Sequence, residues 1–385
     1  MKLTMRRVEF VRMLTFASQA IPARNADVQY LNFLLDVKED GLSVIASNGS
    51  LSTKVFQPLK DDIGNEVIFN LEPGMIQTQA KLLLDAVTKM GGDVITLTMV
   101  DTNYLNLSDD NTDYNLVTKA GEEYPDVDLS APQDQDGFEV SLADLKKLYS
   151  TTAYAAATKG PKELYYGIHV CAENGKLSFM ATDSYRMARL SLNESNKDAM
   201  FNFTCPTKAL DMVTHIDVGD KVVIYFDEQK ALFLAGNIAV STRLLRGDFP
   251  SIDRLIPPSF PYSFSVKKDS FLQAADRVMV ISTPENRNSP VRLTISKETG
   301  VSLSSRNANL GDAVQTLKDA TYILPDDTTV FEIGFNVTFA MDAVKAMESD
   351  VVHFVFSSPT RMFMVRDENP DNIHIITPIR MSSLG

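Results

Sequence analysis

One ten-residue phrase occurs three times along this chain, so whatever it folds into is built three times over. Residues 42–51 read LSVIASNGSL, residues 177–186 read LSFMATDSYR and residues 301–310 read VSLSSRNANL. Leu42, Leu177 and Val301 align, as do Val44, Phe179 and Leu303, with a serine between them each time; the offsets are 135 and 124 residues. Apolar side chains at every second position are what a strand with one buried face requires. Each phrase then reaches Asn48, Asp183 or Asn307. Such short polar side chains hydrogen-bond their own backbone and turn the chain. The longest version, LSFMATDSYRMARL at 177–190, reads as strand, tight turn and second strand.

Other phrases recur in step. EYPDVD at 123–128 and DFPSID at 248–253 lie 125 residues apart. Leu3-Thr4-Met5, Val140-Ser141-Leu142 and Phe264-Ser265-Val266 each lead into a helical pattern. Ile68-Phe69-Asn70, Phe201-Asn202-Phe203 and Phe331-Glu332-Ile333 precede helix-like runs at 79–90, 208–216 and 336–347. Phrases of several kinds in one register mark tandem copies. A chain of 385 residues exceeds one ordinary core, and three copies bring each near the usual domain size. Breaks fall in the Asp-, Glu-, Pro- and Gly-rich stretch 119–137 and at Pro257-Pro258, which gives domains of 1–133, 134–257 and 258–385. Mixed strands and helices in each make the class α+β. A first helix is expected over 6–20, another along the stripe Leu142, Leu145, Leu148, Tyr149, Ala153 and Ala156, and a last strand over 373–379.

The charge is unevenly spread. The net value is −13, which by itself argues against nucleic acid, yet six helix-like segments together carry +8 and leave −21 on strands and loops. Basic helices on an acidic protein suit a local anionic partner, although charge also clusters by chance. No run approaches the roughly 18 apolar residues of a membrane helix, and the opening MKLTMRRVEF has no signal-peptide core. Cys171 and Cys205 form no CxxC and fit a reducing, cytoplasmic setting.

Catalytic chemistry is sparse. His169, His215, His353 and His374 show no metal-ligand spacing, neither cysteine belongs to a nucleophile signature, and no Gly-x-Ser-x-Gly or P-loop occurs. No cofactor is expected. Asp183, Ser184 and Arg186 resemble a catalytic cluster only superficially, because the same turn recurs with other residues in the other copies. An enzyme with an unrecognised site and a DNA-free oligomeric scaffold of three repeated domains are the competing classes.

ATDSYRMA at 181–188, GDFPSIDRLIP at 247–257, EIGFN at 332–336 and TPIRM at 377–381 resemble the bacterial sliding clamps, the beta subunits of DNA polymerase III, over the whole chain. That resemblance implies a cytoplasmic homodimer closed head to tail into a six-domain ring, helices inside and sheets outside. Such a ring encircles duplex DNA without reading sequence and acts as a processivity factor with no catalytic or exonuclease activity of its own. The polymerase catalytic subunit, other polymerases, repair proteins and an ATP-driven loader are the implied partners. Tyr185 stands where the family usually has histidine, and residues 382–385 extend past its usual end.

Site residues follow from the same resemblance. DNA is expected near Arg24, Lys81, Lys159, Lys162 and Lys208, although the basic loop 158–162 reads equally as a solvated turn. Tyr114 and Leu116 are expected to meet Val280 and Ile281 of a second copy. A pocket between domains two and three is expected to take a peptide with a glutamine followed by leucine and phenylalanine. Its second-domain wall would be Tyr165, Thr182, Ser184, Tyr185, Arg186, Met187, Pro250, Arg254 and Leu255. Its third-domain wall would be Asn336, Phe339, Thr360, Met362, Ile375, Thr377, Pro378, Ile379 and Arg380.

Overall fold

The sequence repeat is a repeat of secondary structure. A computed structural model describes the chain except residues 25–26, 102, 133–135, 195, 282–289, 308 and 381–385. The first copy runs β1 (Lys2–Arg6), α1 (Arg7–Ser18), β2 (Asn32–Lys38), β3 (Gly41–Ser47), β4 (Leu51–Pro58), β5 (Ile68–Glu72), β6 (Gly74–Gln79), α2 (Ala80–Lys89), β7 (Val94–Met99), β8 (Tyr104–Ser108) and β9 (Asp113–Ala120). The second runs β10 (Phe138–Ser141), α3 (Leu142–Thr152), β11 (Gly167–Glu173), β12 (Lys176–Thr182), β13 (Arg186–Asn193), β14 (Phe201–Pro206), α4 (Thr207–Thr214), β15 (Lys221–Phe226), β16 (Lys230–Ala235) and β17 (Ile238–Arg243). The third runs β18 (Tyr262–Lys267), α5 (Lys268–Met279), β19 (Val291–Ser296), β20 (Gly300–Asn307), β21 (Gly311–Thr316), β22 (Thr321–Ile323), β23 (Val330–Phe335), α6 (Val337–Lys345), β24 (Val351–Phe356), β25 (Phe363–Arg366) and β26 (Asn372–Ile376).

Each copy is therefore two strand–helix–three-strand halves. The first and third copies add one short strand, and in each it pairs with the strand that opens the copy: β5 with β1 and β22 with β18. This corrects the sequence alignment at Ile68-Phe69-Asn70. The partner of Phe201–Phe203 and Phe331–Ile333 is β6, because β6, β14 and β23 pair with β2, β11 and β19 and run into α2, α4 and α6. An apolar triplet before a helix was too short a signal to separate β5 from β6.

The recurrent turn has one chemistry. Asn48 Oδ1 accepts the backbone N–H groups of Ser50 and Leu51. Asp183 Oδ1 accepts those of Tyr185 and Arg186, and Asn307 Oδ1 accepts that of Asn309. Each is an Asx turn that saves the hairpin from leaving backbone donors unpaired. Gly49 sits at φ 87° and Ser184, the matching residue, at φ 79°. Glycine is at ease there and serine is strained.

Two compact units result: residues 1–145 with 208–244, and residues 146–207 with 245–385. The middle copy is divided between them. In the first unit β17 pairs with β4, from Ile238 opposite Val55 to Thr242 opposite Leu51, within a 13-stranded sheet. In the second, β13 pairs with β26, from Arg186 opposite Ile376 to Leu190 opposite Asn372, within a nine-stranded sheet. Strand pairing joins neighbouring copies, where the sequence shows only polar linkers. The expected break at 133/134 lies outside the described residues.

Helices form where apolar residues recur at helical spacing. Phe10, Met13, Leu14 and Ala17 of α1 are buried, as are Phe271, Ala274, Ala275 and Val278 of α5. In the second unit Phe264, Phe271, Phe335, Phe354, Phe356 and Phe363 form one aromatic core, with ring centroids 4.6 Å apart for Phe264 and Phe354 and 5.1 Å for Phe356 and Phe363. Each buried ring contributes roughly 1.5–3 kcal/mol by leaving water, and such pairs add about 0.5–1.5 kcal/mol. The α3 stripe stops as α-helix at Thr152 and tightens to a short turn over Ala153–Ala155. The last strand ends at Ile376, short of the expected Ile379, because Pro378 follows and has no N–H for a ladder.

Candidate functional site

The β12–β13 turn, the start of α6 and the end of the chain converge in the second unit. Arg186 is the hinge of this cluster. Its Nε donates to Asp183 Oδ2 at 3.0 Å and its Nη1 to Asp342 Oδ2 at 2.6 Å. The guanidinium centre lies 4.4 Å from the Phe339 ring and 5.2 Å from the Tyr154 ring, and the side chain is only 13% exposed. Two carboxylates and two ring faces suit a planar, weakly hydrated cation, and a lysine could not fork to both acids. Thr182 Oγ1 donates to the Arg186 carbonyl at 2.7 Å and accepts the Ser184 N–H at 3.1 Å. The strained Ser184 is thus held inside a closed turn.

Beyond Arg186 runs a buried polar chain. Tyr154 OH donates to His374 Nδ1 at 2.6 Å, and His374 Nε2 donates to Asn372 Oδ1 at 2.8 Å. Asn372 Nδ2 donates to Asp367 Oδ2 at 3.0 Å. These directions follow from Asn372 Oδ1 being an acceptor only, which places the imidazole proton on Nε2. Burial pushes His374 down to about 3 and raises the Tyr154 hydroxyl, so both are neutral near pH 7.

Acid should expose this. The unfolded imidazole titrates near 6.5 and takes up a proton that the folded one refuses until about 3. The stabilisation is complete above pH 6.5 and is lost as pH falls toward 3. From pH 7 to 5 the loss through His374 is about 2 kcal/mol. Urea midpoints at the two pH values check this, with His374→Gln showing the smaller acid loss.

The chain end is fastened on both sides of the cluster. Thr377 N and Oγ1 both donate to the Tyr185 carbonyl at 2.9 Å, and Ile379 N donates to the Gly334 carbonyl of β23 at 2.7 Å. Next to it opens a cavity of about 1240 Å³. Of the expected pocket residues, Arg254, Leu255, Thr360, Met362, Thr377, Pro378, Ile379 and Arg380 line it. Met187 and Ile375, each 2% exposed, belong to an apolar cluster against which Leu255 and Met362 pack.

Other expected pocket residues lie outside this lining. Arg186 is committed to its aspartates, and Asn336 Oδ1 caps α6 by accepting the Thr338 N–H at 3.0 Å. Tyr165, Thr182, Ser184, Tyr185, Arg186, Met187, Pro250, Asn336, Phe339 and Ile375 are not cavity lining. Tyr185 is 63% exposed beside the anchored Thr377. Ile256, Pro257, Pro258, Arg292, Glu332, Ile333, Gly334, Pro359 and Arg361 line the cavity and were missed in the sequence. Pro257-Pro258 carried a signal, but it was read as a boundary. The extension 382–385 lies outside the described residues.

Arg24, Lys81 and Lys208 of the first unit and Lys159 and Lys162 of the second are exposed. Lys162 Nζ donates to Tyr165 OH at 3.3 Å and lies 5.0 Å from that ring, so its ammonium is shared with a side chain assigned to the pocket. Tyr114 is half-buried and Leu116 is already buried in its own sheet, which leaves Val117, 66% exposed, as the other apolar contact this strand offers. Val280 is exposed and Ile281 half-buried. Among the described residues no group of three or more His, Cys, Asp or Glu side chains is placed to hold a metal, and no helix is long and apolar enough to cross a membrane.

Residues 1–128, 139–251 and 253–380 match, in order, the N-terminal, central and C-terminal domains of the DNA polymerase III beta subunit. The chain belongs to the DNA polymerase III beta subunit family. Relatives named beta sliding clamp include that of Streptococcus pneumoniae, 28% identical over 96% of this chain and 97% of the relative, and that of Bacillus subtilis, 26% identical over 99% and 100%. Among solved structures, the B. subtilis sliding clamp superposes with a TM-score of 0.90 at 24% identity, over 99% of this chain and 100% of that one. A sliding clamp of Pseudomonas aeruginosa bound to griselimycin gives 0.88 at 21%, with the same coverage. These likenesses agree on three tandem clamp domains. Family membership removes the ground for the DNA-free scaffold.

Proposed function

We propose that two copies of this chain close head to tail into a ring around duplex DNA and tether a polymerase to it. The observation that carries this reading is the succession of three clamp domains from residue 1 to 380. The protein is then a non-catalytic processivity subunit working by topology in the cytoplasm. Opening the ring falls to an external ATP-driven loader, since the sequence has no P-loop. Domain limits of 1–133, 134–257 and 258–385 serve this plan.

Open strand edges support the dimer. β21 ends the four-stranded sheet with Val314 67% exposed, and β9 pairs with β6 only from Thr118 onward, leaving 113–117 without a ladder on that side. An exposed edge invites a strand from another copy. Tyr114 and Leu116 belong to β9, and Val280 and Ile281 follow α5, which packs against β21.

DNA contact rests on exposed cations. Arg24, Lys81, Lys159, Lys162 and Lys208 are suited to phosphate, which gives weak, salt-sensitive affinity without sequence preference. The cavity beside the chain end would receive the glutamine-leucine-phenylalanine segment of polymerases, loader and repair proteins, with Leu255, Met362 and Ile379 around an apolar anchor. Replacing Arg24 and Lys159 by alanine is expected to slow loading severalfold in a loader-driven assay while sedimentation still shows a dimer. Loading at the wild-type rate would contradict this DNA-facing surface.

A further inference from the structure

The cavity is larger and more basic than a short apolar anchor needs. Besides the anchor residues it is lined by Arg254, Arg292, Arg361 and Arg380, against one acid, Glu332. Arg292 is engaged, its Nη1 lying 3.2 Å from Glu332 Oε2, and Thr294 Oγ1 also donates to Glu332 at 3.2 Å. Arg254, Arg361 and Arg380 are exposed and make no ion pair among the described residues. A local charge of +3 in one groove stands out on a protein of net −13.

Leu255, Met362 and Ile379 supply apolar surface, and the charge is interleaved with it: Arg292 and Glu332 stand on β19 and β23, where Ile379 N bonds to Gly334, the residue paired with Arg292. Arg361 stands on the turn before β25, next to Met362. We infer that this basic lining selects partner segments whose apolar anchor is flanked by aspartate or glutamate. The inference rests on the partner-pocket reading above. Like-charged segments would be repelled, so the arginines discriminate among partners as well as attract them. Glu332 holds Arg292 in place and bars a carboxylate from the far side of that guanidinium.

Two peptides with the same glutamine-leucine-phenylalanine anchor test it, one bracketed by three aspartates on each side and the other by three asparagines. Calorimetric titration of the full chain in dilute salt should show the aspartate peptide binding about tenfold tighter, and the ratio should fall toward one at high salt. Arg361→Glu should shrink or reverse the preference, and Arg292→Ala should reduce it. Equal affinity of both peptides, or a preference untouched by Arg361→Glu, overturns the inference and leaves the pocket standing. Binding of neither peptide overturns the pocket and the inference together.

Discussion

Arg186→Ala should destabilise the second unit by about 3 kcal/mol, since it leaves two carboxylates facing an empty space. Asp183 and Asp342 both depend on that guanidinium, and Phe339 and Tyr154 lose the cation they stack on. Asp183 also holds the β12–β13 turn through the Tyr185 and Arg186 N–H groups, so the damage reaches the Tyr185 carbonyl that anchors Thr377. Arg186→Lys should restore little, because one ammonium cannot reach both acids in a fixed fork. Denaturant titration of the wild type and both variants measures the loss. A change below about 1 kcal/mol for alanine would mean the ion pairs are worth no more than exposed ones.

Ending the chain after Ile376 should weaken binding of an anchor peptide by about tenfold to a hundredfold. The truncation removes Thr377, Pro378, Ile379 and Arg380 from the cavity wall, together with the bonds to the Tyr185 and Gly334 carbonyls. Burying one leucine-sized anchor is worth roughly 1.5–3 kcal/mol, which corresponds to a loss of about tenfold to a hundredfold in affinity. β26 ends at Ile376, so the strand that joins the second and third copies stays whole. The edges β9 and β21 are also untouched, and the dimer should persist in sedimentation. Calorimetric titration with a glutamine-leucine-phenylalanine peptide reads the effect, and unchanged affinity in a folded truncation would contradict the site.

What the sequence revealed was whatever repeats. Period-two alternation and the Asx residues Asn48, Asp183 and Asn307 recur three times, and all three make the turn their chemistry implies. Met187 and Ile375 were named only through the family resemblance; they are buried in one apolar cluster, and Ile375 lies in a strand buried at every position, so alternation could not have marked it. Long-range pairings were not legible either. Nothing local tells that β17 lies beside β4 or β13 beside β26, since any strand edge offers the same donors and acceptors. The partners of Arg186 were hidden for a related reason, since only the fold brings Asp342 to it, whereas the Asn336 cap on the Thr338 N–H is a local contact two residues long. Arg292 and Arg361 went unnoticed because scattered arginines acquire meaning only when they line one groove.

If this chain holds DNA by enclosing it, retention depends on the topology of the duplex. Loading it onto a nicked circular duplex with a clamp loader and then separating free from bound protein by gel filtration tests this. The chain should travel with the circle at a salt concentration that abolishes ordinary phosphate contacts, and it should be released when a single cut makes the duplex linear. Equal retention on circular and linear DNA would contradict enclosure.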